Sequence, residues 1–433
     1  MIQLREPLTD ALAVTDPVRL EVPAMQESSW IEVDLARLER NAAALVRFVS
    51  DHADPARRGR TPVLCGSLKK DGYGLGAGPM SHRLVKAGCG MIALYSAREA
   101  EKLAERGLSV PLLVLAPIDR IGRTDALYRP AVAERLHLMV HDAEQLAGIN
   151  DTGQNLGIRM PVHLYFDTGM ARGGLSVDQF HDLVHRGDDF KHVRFAGVCS
   201  HLATAGGDAD FVQQQLDAFH AAVDAVADRL PDGCLRHLAN SFGTLRDPAT
   251  HLDMIRPGLS LLGYGRSLMT GPMAEDAPEL EPVMRWMSRI VHVQRYPRRT
   301  PVGYGSTHKL KRESVLGVVP VGYADGYPLA LSNKGSVRVR ASIESSGPGH
   351  RISAESSTDC KVLGKVNMDQ MVVDLTDVPC DEPGRLKGAQ VEVYSRDAKA
   401  ANALPNLAEL AKTHVYELLC RLSPSLKRIY TSG

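Results

Sequence analysis

Residues 63–76 read Val63-Leu64-Cys65-Gly66-Ser67-Leu68-Lys69-Lys70-Asp71-Gly72-Tyr73-Gly74-Leu75-Gly76. An apolar run stops at two lysines, and a turn follows with three glycines around one aromatic. The run reads as a buried strand. A lysine at the carboxyl end of such a strand lies where parallel barrels carry their chemistry. Glycines there let backbone N–H groups approach an anion closely, and Tyr73 adds a hydroxyl donor. An amine beside a phosphate cradle matches an aldehyde cofactor with a phosphate handle, which is pyridoxal phosphate. Taken alone, the stretch reads equally well as a solvated lysine pair ahead of a glycine-rich turn. Its surroundings have to decide.

Working outward, strand-like and helix-like segments alternate. Apolar strand candidates lie at 62–66, 91–95, 111–115, 136–140, 161–166, 195–201, 234–239 and 253–256. Helical patterns separate most of them. Ser96 to Arg106, closed by Gly107, has both a serine cap and a glycine stop, and Phe211 to Leu230 is another. Continuous apolar strands between amphipathic helices indicate a parallel sheet. Eight in succession suggest an α/β fold with an N-terminal (β/α)8 TIM-type barrel.

Before the first candidate, Trp30-Ile31-Glu32-Val33 reads as a strand, and Asp34 caps a helix with Leu35, Leu38, Ala42, Leu45 and Phe48 on one face. The pattern changes after about residue 275. Gly271 to Glu279 resembles a linker. Beyond it the strands are short and alternating, as in Val337-Arg-Val-Arg and Gln390-Val-Glu-Val-Tyr, with a helix near 406–412. Ser342 to Thr358, rich in Ser, Gly and Glu, reads as an exposed excursion between strands. The expected division is an irregular N-terminal extension over 1–29, a barrel over 30–272 and a C-terminal mostly-β domain over 273–433.

Bulk properties narrow the function classes. The 433 residues are 44% hydrophobic and 24% charged, and Lys+Arg and Asp+Glu both number 51. A zero formal charge gives no reason to expect a nucleic acid or an anionic membrane as partner. The seven cysteines are scattered, without a CxxC pair or zinc-like spacing, and the sixteen histidines form no HExxH-like cluster. No structural metal is expected. Scattered thiols, no signal-peptide pattern and no membrane-length apolar run give a cytoplasmic expectation.

Several polar groups follow the strand candidates directly. Asp167-Thr-Gly-Met-Ala-Arg172 follows one, Ser200-His201 ends the next, Asn240-Ser241 the next, and Arg256-Pro-Gly258 the last. Singly, these read as a turn, a packed histidine, a helix cap and a surface ion-pair partner. In a barrel they share one rim with Lys69, and that convergence is what the separate readings leave unexplained.

With these residues in view the chain resembles the alanine racemases, pyridoxal phosphate enzymes of the barrel-plus-β-domain type. The resemblance runs from about Trp30 to Tyr430. It rests on nine motifs in order: Lys69-Lys-Asp-Gly-Tyr-Gly-Leu-Gly, Asp167-Thr-Gly-Met-Ala-Arg-Gly-Gly, Ser200-His-Leu-Ala-Thr-Ala, Asn240-Ser241, Ile255-Arg-Pro-Gly, Val302-Gly-Tyr-Gly, Val321-Gly-Tyr-Ala-Asp-Gly-Tyr, Val366-Asn-Met-Asp-Gln and Tyr416-Glu-Leu-Leu.

The resemblance implies roles residue by residue. Lys69 corresponds to the lysine that forms the Schiff base with the cofactor. Lys70 stands where the family usually has a small residue. Tyr73, Asn240, Ser241, the Gly258 and Leu259 amides and Tyr416 belong to the cofactor site, most of them at the phosphate. His201 would stack on the ring, Arg172 reach the ring hydroxyl and the substrate, and Arg256 bond the pyridine nitrogen. Tyr304 corresponds to a second catalytic base, with Tyr323 and Met368 as substrate contacts. In the family the β domain of one subunit closes the barrel mouth of the other, so a homodimer is implied. The implied activity is interconversion of L- and D-amino acids by a two-base mechanism. Proton removal on one face and delivery on the other need two bases, and Lys69 and Tyr304 supply them. A permanent cation at the pyridine nitrogen weakens the ring as an electron sink.

The sequence departs from the family around substrate access. Tyr165 replaces a lysine, often carbamylated, that orients the arginine matching Arg172. The Tyr165 hydroxyl is the expected substitute. Gly206 and Leu329 replace an acidic and a basic residue of the substrate corridor. His414 replaces an aliphatic residue, and Asn367 a cysteine. A corridor without that charged pair has a lower polar barrier, which suggests amino acids larger than alanine as substrates. Ser332-Asn-Lys334 resembles broad-specificity relatives. Two other functions compete: an amino-acid decarboxylase of the same fold, and a non-catalytic pyridoxal phosphate binder. The decarboxylase lacks support in a Gly-Gly-Gly loop, and the binder typically lacks the β domain and its tyrosine.

Overall fold

The computed structural model describes residues 28–52, 61–265, 277–347 and 350–432. The 1–29 extension, apart from Ser28 and Ser29, and most of the expected linker lie outside the described residues.

Eight short strands form one parallel sheet in the order β8-β7-β6-β5-β4-β3-β2-β9. They are β2 (Val63–Ser67), β3 (Met91–Leu94), β4 (Leu112–Val114), β5 (Leu136–Val140), β6 (Met160–Tyr165), β7 (Val193–Cys199), β8 (Leu235–His237) and β9 (Met254–Ile255). The ends close on one another: Asp253 N donates to Arg236 O and Arg256 N to Ala239 O, each at 2.9 Å. This is the barrel read from the eight apolar runs. Those strands are mostly apolar because helices cover them outside and packed side chains fill them inside. Strand pairing generally stops short of the polar residues read at the carboxyl ends, which leaves Lys69, His201, Asn240 and Arg256 on connecting segments.

The helices form where their caps stand. Asp34 Oδ1 accepts from Ala36 N and Arg37 N and starts the helix Leu35–Asp51, whose Leu38, Ala42, Leu45 and Phe48 are buried. Ser96 and Glu99 make a reciprocal capping box on Ala97–Ala104. The helix expected over Phe211–Leu230 runs from Ala209 to Asp224, and a separate 3-10 turn covers Ala227–Arg229. Phe166, Phe180 and Phe219 stack between sheet and helices, with centroids 4.5 and 5.2 Å apart.

The strand β1 (Ser29–Asp34) does not join the barrel to which sequence order assigned it. It lies in a nine-stranded sheet, antiparallel to β10 (Met284–Arg289) and parallel to β19 (Lys427–Thr431). The reason is in the pleat. Trp30, Ile31 and Val33 are buried, and Glu32 between them is buried as well. Its carboxylate accepts from Trp30 Nε1 at 3.0 Å and pairs with Arg285 Nε at 2.6 Å. A buried carboxylate needs such partners, and β10 supplies the paired arginine.

The rest of that sheet comprises β11 (His292–Tyr296), β14 (Ser314–Val319), β15 (Ser336–Gly347), β16 (His350–Leu363), β17 (Met371–Asp374) and β18 (Gln390–Tyr394). The pair β12 (Pro301–Val302) and β13 (His308–Lys309) stands apart and flanks Tyr304. The expected excursion at 342–358 is a continuous antiparallel ribbon of β15 and β16, in register as far as Gly347 and His350. The expected helix near 406–412 spans Leu404–Ala411.

Candidate active site

A cavity of about 570 Å³ opens at the carboxyl ends of the barrel strands. It is lined by Lys69, Tyr73, Arg172, His201, Asn240, Ser241, Arg256, Gly258 and Tyr416, residues spread over about 350 positions of sequence.

Lys69 begins a left-handed turn. Lys70, Asp71, Gly72 and Tyr73 have φ of 53, 54, 64 and 59°. Each non-glycine residue there costs about 1–2 kcal/mol. Hydrogen bonds offset the strain: Gly72 N to Leu68 O, Gly74 N to Lys70 O, Gly76 N to Asp71 O, Ala77 N to Asp71 Oδ1 and Lys70 N to Glu99 Oε1, at 2.7–3.0 Å. The turn holds Lys69 at the cavity and sends Lys70 outward, its Nζ 5.6 Å from the Tyr95 ring centre. The glycine amides are thereby consumed within the turn. The anion cradle expected from them is not formed by this turn, which brings Lys69 and Tyr73 to the cavity.

The donors suited to an anion come from elsewhere. Ser241 Oγ lies between Gly258 N (2.9 Å) and Ser260 N (3.2 Å). The Tyr416 hydroxyl bonds Ser241 and the Leu259 amide. Tyr73 Oη approaches Ser67 Oγ at 3.4 Å, and its ring lies 5.4 Å from that of Tyr416. A Cβ at Gly258 would stand 2.1 Å from Tyr73 Oη, so only glycine permits this approach. Asn240 holds the segment by accepting from Phe242 N and Gly243 N with its Oδ1. Two phenols and one serine hydroxyl, held in place by the Gly258, Leu259 and Ser260 amides, form a donor set that suits a phosphate.

The other wall is cationic. Burial, then the charges of Arg172 and Arg256, hold Lys69 below the ordinary lysine pKa. Arg256 is buried; its Nη2 donates to Ser200 O at 2.8 Å and lies 3.3 Å from His201 Nδ1. Burial and the same cations push His201 down to about 3, so its ring is neutral. Arg172 sits on a loop fixed by Asp167, whose carboxylate accepts from Gly169, Met170 and Ala171 N. The bond expected from Tyr165 is not formed: its hydroxyl is buried and has no hydrogen-bond partner among the described residues. The turn-forming role of Asp167 does that work in the chain.

Tyr304, Tyr323 and Met368 are outside this cavity. They are 73, 46 and 54% exposed on the β domain, and Leu329 is 53% exposed beside Tyr323. A Cβ at Gly206 would meet the Phe242 ring at 3.6 Å, His414 is an exposed N-cap, and Asn367 buries an Oδ1 without a partner among the described residues. Sequence reasoning missed three buried histidines behind Arg256: His137, His163 and His237. Their signal was one imidazole in each of three strand runs, two of them otherwise apolar and the third, at Leu235–His237, also carrying Arg236.

Fold and site define a lysine-based barrel enzyme with a second, mostly-β domain. The chain matches the model of the alanine racemase N-terminal domain over residues 33–266 and that of the C-terminal domain over 283–430. It is 33% identical over 403 residues to the alanine racemase of Symbiobacterium thermophilum, covering 93% of this chain and 97% of that one. To the alanine racemase of Synechocystis sp. it is 31% identical over 408 residues, covering 94 and 99%. The structure of alanine racemase from Streptomyces coelicolor superposes with a TM-score of 0.76 at 28% identity, covering 94 and 98%. That of alanine racemase from Bartonella henselae, which has covalently bound pyridoxal phosphate, superposes with a TM-score of 0.71 at 24% identity, covering 94 and 100%. The chain belongs to the alanine racemase family, and it is an isomerase of the amino-acid racemase type.

Proposed function

We propose that this protein interconverts L- and D-amino acids with pyridoxal phosphate bound at Lys69, using two bases on opposite faces of the substrate. The observation that carries the reading is Lys69 itself, aimed into a cationic cavity and held below the usual lysine pKa by burial and two arginines. A lysine whose neutral form is favoured in this way is a better nucleophile toward an aldehyde and a better base. The chemistry the cofactor supplies is withdrawal of electron density from the substrate α-carbon.

In this reading Tyr73, Ser241, Tyr416 and the segment at Gly258 and Leu259 would hold the phosphate, with Asn240 fixing that segment. His201 and Arg256 would hold the ring, and Arg172 would hold the ring oxygen and the substrate carboxylate. Lys69 takes or returns the α-proton on one face. Tyr304 of the partner subunit does so on the other, with Tyr323 and Met368 of the partner subunit against the substrate. The support for a shared site is that these three side chains are exposed together, away from the cavity of their own chain. Exposed aromatic and apolar groups of this kind are what a subunit contact covers. The division at about residue 272 belongs to the same reading, with the first strand donated to the β domain.

The test is α-proton exchange in heavy water, followed by NMR, across a panel of L-amino acids with pyridoxal phosphate present. Exchange with growth of the D-enantiomer, strongly reduced in Tyr304→Phe, is the expected result. Bound cofactor with no exchange on any member would replace the reading with that of a binder. Loss of carbon dioxide would point to a decarboxylase. Alanine favoured more than about a hundredfold over lysine, arginine, serine and methionine would remove the broad-specificity expectation.

A further inference from the structure

Three imidazoles lie in line behind Arg256. Arg256 Nη1 contacts His237 Nδ1. His237 Nε2 lies 2.7 Å from His163 Nδ1, and His163 Nε2 lies 2.8 Å from His137 Nδ1. His163 and His237 are fully buried and His137 nearly so. None of the three lines the cavity.

The line runs across neighbouring strands of the barrel. His137 is on β5, His163 on β6 and His237 on β8, so the last step must pass β7. It does so at Gly197, which is paired with His163 at a break in register. A Cβ at 197 would stand 2.3 Å from His163 Nδ1. The missing side chain is the gap through which the two imidazoles meet.

The chemistry of arginine fixes every proton in the line. A guanidinium only donates, so His237 Nδ1 must accept and carries no hydrogen. A neutral His237 then has its proton on Nε2 and gives it to His163 Nδ1. The same step places the His163 proton on Nε2, toward His137 Nδ1, and the His137 proton on Nε2. Burial keeps the rings neutral: His137 is lowered to about 4, and His163 and His237 are lowered well below the ordinary value, with the Arg256 and Arg194 charges adding to the effect.

We propose that His137, His163 and His237 are positioning residues, a one-way relay of hydrogen-bond donors that holds the Arg256 guanidinium in a single orientation toward the cavity ligand. This rests on the reading of Arg256 as the partner of the cofactor ring. Each bond polarises the next, so His237 is a better acceptor with the line intact than alone. A break at His137 leaves a buried N–H of His163 unpaired and loosens Arg256 through two intermediaries.

Two measurements test it. In the cofactor-free protein, a long-range proton–nitrogen imidazole spectrum should find all three rings protonated on Nε2 alone, with no titration between pH 6 and 8. A proton on Nδ1 of any of the three, or a charged ring in that range, overturns the relay whatever the enzyme does. In the cofactor-loaded protein, His137→Asn, whose Oδ1 replaces Nδ1 as acceptor, should keep alanine α-proton exchange within about twofold, whereas His137→Leu should lower kcat about tenfold at unchanged KM and cofactor content. A packing role alone would rank Leu above Asn at this buried site, and that order overturns the proposal. If the leucine variant fails to fold, the wild-type spectrum still decides. Absence of exchange in the wild type, with the three tautomers as stated, would refute the racemase reading and not the relay.

Discussion

Replacing Gly258 by alanine separates cofactor binding from stability, and its effect follows from one distance. The added Cβ would stand 2.1 Å from Tyr73 Oη and 3.0 Å from Tyr73 Cζ. Ordinary contact between heavy atoms is roughly 3.5 Å, so the hydroxyl must retreat by more than about 1 Å. The Tyr73 ring has little room, being buried against Tyr416 on backbone already in the left-handed region. Its hydroxyl therefore leaves the phosphate position. A hydrogen bond to a charged group contributes about 1.5–3 kcal/mol, which is roughly 10- to 100-fold in Kd for pyridoxal phosphate. The steric load itself costs about 1–3 kcal/mol of stability. The measurement is titration of cofactor-free protein with pyridoxal phosphate, read by absorbance of the lysine adduct. Tyr73→Phe removes the atom that clashes, so Gly258→Ala should cost less affinity in that background than in the wild type. Additive effects, or a Gly258→Ala protein that binds within about twofold of wild type, would show that Tyr73 does not hold the phosphate.

Acid should destabilise the fold through its neutral histidines. His137 and His201 are lowered to about 4 and about 3, against an ordinary value of about 6.5. Between these values the unfolded chain binds protons that the native protein does not, so stability is present above about pH 6.5 and falls toward pH 4. The Tm should drop over this range, and His137→Asn should flatten the slope; equal slopes would refute the assignment. Arg285→Met should lower stability by about 3 kcal/mol, since it strands the buried Glu32 carboxylate, whose ion pair with Arg285 is 2.6 Å long. Restoration in the double variant with Glu32→Gln, read by denaturant unfolding, would confirm the cause. A loss below about 1 kcal/mol would refute it.

Sequence by itself determined the barrel, because eight buried parallel strands must be apolar runs and capped helices must lie between them. It also determined the chemically active rim. Lys69, His201, Ser241 and Arg256 each follow such a run directly, and the closing of the sheet brings them together. Local signals served wherever the cause was local, as with the Asp34, Ser96 and Asp167 caps. What only the tertiary structure decided were matters of long-range partnership. The first strand went to the β domain because the arginine that neutralises Glu32 is 253 residues away. The glycines after Lys69 gave their amides to a left-handed turn, and the anion donors came instead from Ser241, Tyr416 and the segment at Gly258. The hydroxyl of Tyr165, expected to hold Arg172, has no hydrogen-bond partner among the described residues. The line of histidines stayed hidden because one imidazole in an apolar run looks like any buried residue; three of them acquire a direction only when a glycine on the intervening strand lets them meet and a donor-only arginine fixes the last proton.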